Sequence, residues 1–149
     1  MKPKFRNLFL ASSALLTISY AQAASLYWDG TDTNVNANGG AGNWDNLGVF
    51  NWDTALLAGL AAQWNNSNND TAVFGGTAGT VTLGSAITVG GLTFSTTGYT
   101  IAAGANGLNF GGTNNTILFN NIAAASITGQ VGGAGNVILS TSNPATAAT

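Results

Sequence analysis

From Asp70 to Leu139 the chain repeats one short pattern: an apolar residue, one intervening residue, a second apolar residue, then glycine or asparagine nearby. Val81/Leu83, Ile87/Val89, Leu92/Phe94, Tyr99/Ile101, Leu108/Phe110, Ile117/Phe119 and Val137/Leu139 are its clear members. The intervening residue is threonine at Thr82, Thr88, Thr93 and Thr100. Apolar positions with period two and a hydroxyl between them describe a strand with one face buried and one wet. Asp70-Thr71-Ala72-Val73-Phe74 is a further strand, stopped by Gly75-Gly76, and Ser126-Ile127-Thr128 is a weak one.

The first apolar residues fall at 81, 87, 92, 99, 108, 117, 127 and 137, so strands of a few residues alternate with short turns. Globin-like and α/β folds cannot be built from such units, which leaves a sandwich, a barrel or a solenoid. The strands are very short and their unit hardly varies. No strong two-residue hairpin signal joins neighbours; Asn106-Gly107 is the best of them. These features predict an all-β fold, a right-handed parallel β-helix (β-solenoid) of about three coils over residues 70–140, with rungs ~4.8 Å apart. Residues 141–149 form a polar tail without a cap and read as a truncated continuation of a longer solenoid.

Residues 24–69 have a different rhythm. They contain all four tryptophans, each followed by Asp or Asn: Trp28-Asp29, Trp44-Asp45, Trp52-Asp53 and Trp64-Asn65. Two readings fit them. Trp28, Trp44, Trp52 and Trp64 could form a glycan-binding site if their indole faces are exposed. Alternatively they form a Trp-rich N-terminal cap over the open edge of the stack, since an uncovered edge invites aggregation. The cap is the favoured reading. Ala55–Gln63 is the one stretch with helical composition, although Gly59 within it costs roughly 1 kcal/mol relative to alanine.

Residues 1–23 read as a secretory signal peptide. Lys2, Lys4 and Arg6 precede an apolar run over Leu8–Ile18, and Ala21-Gln22-Ala23 gives a small-x-small cleavage site. The run is too short to span a bilayer, which takes roughly 20 residues. No later run has that length, so no membrane anchor is predicted.

Composition narrows the function. All three basic residues lie in the first six positions, and past Arg6 there is no Lys, Arg, His, Cys or Glu. Nucleic-acid binding is excluded because nothing neutralises phosphate. A thiolate metal site and a disulfide framework are excluded for want of cysteine, which also favours a bacterial outer compartment. Charged residues are 5% of the chain against ~25% in an ordinary domain, so solubility rests on amides and hydroxyls. Nucleophilic triads lack their base. Paired carboxylates could come only from Asp29, Asp32, Asp45, Asp53 and Asp70. An enzyme is therefore not predicted, nor any cofactor. Gly132–Leu139 has the glycines of a calcium-binding nonapeptide, but Val137 stands where the ligand aspartate belongs.

Tyr27-Trp28-Asp29-Gly30, Gly42-Asn43-Trp44-Asp45 and Asn51-Trp52-Asp53, with the signal peptide before them, resemble the N-termini of bacterial autotransporter passenger proteins. Asp70–Gly76 and Ile87-Thr88-Val89-Gly90-Gly91-Leu92-Thr93-Phe94 extend the resemblance to passengers with autotransporter-associated β-strand repeats. It covers nearly all of residues 24–139. It implies a right-handed β-helix displayed at, or released from, the outer membrane of a Gram-negative bacterium, often as an adhesin. No catalytic residues are shared within that family. A translocating C-terminal β-barrel is absent here. The usual strongly similar repeats are absent too, beyond a first one at Gly132–Ser140. The function expected is an exported surface or extracellular solenoid with a structural or adhesive role; a glycan-binding module is the alternative. The expected partners are the export machinery, through the signal peptide, and host or matrix glycans or proteins.

Overall fold

A computed structural model of the chain describes residues 23–31, 34–121 and 124–142. The predicted signal peptide lies outside them except for Ala23, as do residues 143–149 of the tail. Alternating strands give twelve elements: β1 (Ser25–Trp28), β2 (Gly42–Trp44), β3 (Trp52–Asp53), β4 (Ala61–Ala62), β5 (Thr71–Phe74), β6 (Thr80–Leu83), β7 (Ile87–Val89), β8 (Gly91–Phe94), β9 (Thr100–Phe110), β10 (Asn114–Asn120), β11 (Ser126–Gly133) and β12 (Asn136–Ser142). Among the described residues there is no helix.

The strands form a parallel β-solenoid of about three turns. One sheet has the order β12-β10-β8-β5-β1-β3-β4, and the other β11-β9-β6-β2 with β7 also paired to β9. Every pair from β5 onward is parallel. The register explains the repeating pattern. Ala72 faces Leu92, Leu92 faces Ile117 and Ile117 faces Leu139, at steps of 20, 25 and 22 residues. Phe74, Phe94 and Phe119 form the next column, with ring centroids 5.3 and 5.9 Å apart and near-parallel planes. On the second sheet Val81 aligns with Ile101 and Ile101 with Ile127. Each inward position thus stacks on its equivalent one coil away, so the same residue type serves in successive rungs.

Two strands read separately from the sequence, at Tyr99/Ile101 and Leu108/Phe110, are halves of β9. Its first half pairs with β6 and its second with β7. Between them Gly104 and Gly107 take φ of +55° and +77°, where L-residues are disfavoured, and let the strand turn a corner without ending.

Parallel stacking also begins earlier than the repeating pattern. β1 pairs in parallel with β5, and β2 with β6. Beyond β1, β3 and β4 continue the first sheet antiparallel. The helix allowed over Ala55–Gln63 does not form. The backbone there bonds elsewhere: Ala37 N–H donates to Leu56 O, Gly59 N–H to Val35 O and Thr54 N–H to Leu60 O. Ala58 sits at φ +53°, which a helix cannot contain.

At the other end, β11 and β12 carry no further rung among the described residues. Leu139 continues the column of Ile117 yet is 71% exposed. Val131, Val137 and Ile138 are exposed with it.

Candidate functional site

Trp28, Trp44, Trp52 and Trp64 are each 0% exposed. They come from β1, β2, β3 and the loop before β5, and they meet in one cluster. Trp52 lies 5.0 Å from Trp28, 4.9 Å from Trp44 and 4.9 Å from Trp64, and Trp44 lies 4.8 Å from Trp64. Most of these contacts are edge-to-face, the arrangement aromatic quadrupoles favour. Phe74, first of the phenylalanine column, packs against Trp28, Trp44 and Trp52. The indole N–H of Trp28 donates to Gly40 O at 2.8 Å, and that of Trp64 to Thr88 O at 3.2 Å. Stacking a sugar requires an open indole face, and none of the four presents one. The sequence brings these residues together as a glycan site would need, but with their faces turned to one another.

Asp29, beside Trp28, and Asp70, at the start of the repeating segment, accept bonds from the backbone. Asp29 Oδ1 accepts from Asn38 N–H at 2.8 Å, and Asp70 Oδ1 from Ala24 N–H at 2.7 Å. Asp29, Asp53 and Asp70 are buried. A carboxylate held this way fixes a turn; it does not face a substrate. No group of three His, Cys, Asp or Glu side chains placed to hold a metal occurs among the described residues.

Tyr99 is the buried polar residue that joins the most coils. Its hydroxyl lies 2.7 Å from both Gly75 O and Thr77 O, either of which it can donate to, and accepts from Gly40 N–H at 3.2 Å. These partners belong to the loops after β1 and after β5, so one phenol spans three successive passes of the chain. Burial pushes the Tyr99 pKa up to about 12, against a smaller lowering by the Gly40 N–H. Gly39 runs beside it at φ +77°, and a side chain there would collide with the Tyr99 hydroxyl and Gly75 O.

Asn115 escapes sequence reading altogether. It points inward from β10, fully buried, at a position where the pattern asks for an aliphatic. Its Oδ1 accepts from Gly112 N–H at 2.8 Å, and its Nδ2 donates to Gly112 O at 2.8 Å and to Asn136 O at 3.1 Å. The only available signal was its position after Gly111-Gly112, where an amide can hold a corner.

Two surface features remain. A cleft of about 500 Å³ is lined by Gly30, Thr31, Asn43, Val49, Phe50 and Asn51 among others, with no charged group or tryptophan in it. Separately, residues 35–60 expose several large apolar side chains, with Leu57 at 72% and Leu60 at 75%.

Known proteins bear on what this surface belongs to. No protein-family profile matches the chain, and no solved structure does. Over 99 residues, 65% of its length, the chain is 46% identical to the protein named Adhesin BmaC autotransporter of Brucella suis biovar 1 (strain 1330). It spans only 3% of that protein's length. This match bears out the resemblance to autotransporter proteins: the chain is similar in sequence to a segment of an autotransporter adhesin, and its parallel β-solenoid is consistent with a passenger fragment.

Proposed function

We propose that the chain is part of an exported autotransporter passenger acting at the surface of a Gram-negative bacterium, in a structural or adhesive role without catalysis. The supporting observation is the 46% identity to a segment of a protein named as an adhesin, in a chain that folds as stacked parallel rungs. In this reading residues 1–23 direct export, residues 24–69 close the first end of the stack, and residues 70–140 are coils of a longer rod. The mechanism is display. Stacking fixes the inward columns, and the outward Thr and Asn side chains and the loops meet a host or matrix protein or glycan. The exported body carries almost no cation, so contact rests on hydrogen bonds and apolar area and changes little with salt.

Beads coated with the exported chain test the adhesive role on host-cell layers and on matrix-coated wells. Retention above that of beads coated with the unfolded chain, undiminished at high salt, is the expected result. Equal retention of folded and unfolded chain would remove adhesion and leave the structural role alone.

A further inference from the structure

Asp70 is 2% exposed, and past Arg6 the sequence offers its carboxylate no basic side chain. The group that meets it is the backbone nitrogen of Ala24, 2.7 Å from Oδ1; Asn68 Nδ2 donates to Oδ2 at 3.3 Å. The neighbouring backbone holds both residues in place. Thr71 N–H donates to Ala24 O at 2.8 Å, and Gly90 N–H to Asp70 O at 2.8 Å. Of all backbone nitrogens in the chain, Ala24 N is the one that cleavage after Ala23 turns into an amine.

We propose that removal of the leader after Ala23 supplies the cation for Asp70, so that the new α-ammonium of Ala24 forms an ion pair locking β1 onto β5. The inference rests on the signal-peptide reading. Hydrolysis of the Ala23–Ala24 peptide bond by a signal peptidase consumes one water. Ala23 keeps the carboxylate, and the amine left on Ala24 binds a proton at neutral pH. Before cleavage the same atom is a neutral amide donor. Afterwards both partners are charged, so a bond already assisted by the carboxylate gains the attraction of a full ion pair. Processing therefore tightens the first parallel rung, the one that precedes the repeating coils.

The composition makes this testable at a single atom. Lys2 and Lys4 leave with the leader, so the processed chain has one amine, at Ala24. Ala24 as a residue is exposed, while its nitrogen is held against the buried Asp70 carboxylate. The full chain is expressed with its leader, exported, purified and labelled with an N-hydroxysuccinimide ester, with mass spectrometry giving both the N-terminus and the extent of labelling. The folded wild type is expected to label about tenfold more slowly than Asp70→Asn, and than a variant with one serine inserted between Ala23 and Ala24. In urea all three label alike. The insertion keeps Asp70 and moves the amine out of reach, so it carries the test if Asp70→Asn fails to fold. An N-terminus at Ala24 with equal labelling of folded wild type and insertion variant overturns the ion pair. An N-terminus elsewhere overturns the cleavage reading and the pair with it, and the mass separates the two failures.

Discussion

Replacing Tyr99 with phenylalanine removes one oxygen and leaves the ring in the core. That oxygen bonds Gly75 O or Thr77 O and accepts from Gly40 N–H. With Tyr99 only 1% exposed, water cannot easily replace it. Leaving such groups unpaired costs about 1–3 kcal/mol. The phenol also predicts a pH signature. Its pKa is about 12 in the folded chain and 10.0 when unfolded. A raised acid favours folding while it is protonated in both states. The contribution is therefore complete below pH 10 and is lost as pH rises from 10 to 12. Two units at roughly 1.4 kcal/mol each give a loss of at most about 3 kcal/mol across that window. The processed chain has no lysine or cysteine, and Tyr27 is its one other phenol, so few groups compete for the signal. Urea unfolding followed by circular dichroism at pH 8, 10, 11 and 12 reads both effects. Tyr99→Phe should be less stable at pH 8 and should lack most of the decline above pH 10. Parallel declines in wild type and variant, or no difference at pH 8, would refute the reasoning.

Phe94→Ala removes the middle ring between Phe74 and Phe119 and should cost about 3–5 kcal/mol in the same urea assay; a loss under 1 kcal/mol would mean the column is not packed as described. Asn115→Ala strands Gly112 and Asn136 backbone groups and should cost about 1–3 kcal/mol, with faster hydrogen exchange at Gly112 as the local readout. The four indoles should emit at the blue, buried end of the tryptophan range and resist acrylamide. Emission should be unmoved by any polysaccharide, and a glycan-dependent quench or shift would contradict their burial.

The coils were legible because their chemistry is local and repeated. Each rung states its own inward residues, as in Val81-Thr82-Leu83 and Ile87-Thr88-Val89, and glycine marks nearby turns. What could not be read depends on contacts distant in sequence. The rung formed by β1 has no visible repeat, because its partner β5 lies 46 residues on, from Ser25 to Thr71. Ala55–Gln63 has helical composition, yet its backbone is claimed by Val35–Ala37 and Thr54, which no local window reveals. The tryptophans posed a two-sided question. An indole beside an aspartate suits a sugar site or a core equally well, and only the packing of the four rings on one another, three of them also against Phe74, decides it. Asn115 was invisible because an asparagine near paired glycines reads as a turn residue, and its inward position shows only once Asn136 O is placed one coil away.

The central claim is parallel, in-register stacking, and the absence of native cysteine makes it directly measurable. Val73 and Thr93 are register partners on the outward side of the first sheet, as are Thr93 and Leu118. Rung spacing brings such pairs to ~4.8 Å between Cα atoms, within disulfide reach. Val73→Cys with Thr93→Cys, and Thr93→Cys with Leu118→Cys, should each cross-link on mild oxidation of the exported chain. Val73→Cys with Ser95→Cys, two residues out of register, should not. Cross-linking of the offset pair with failure of the two register pairs would contradict the solenoid.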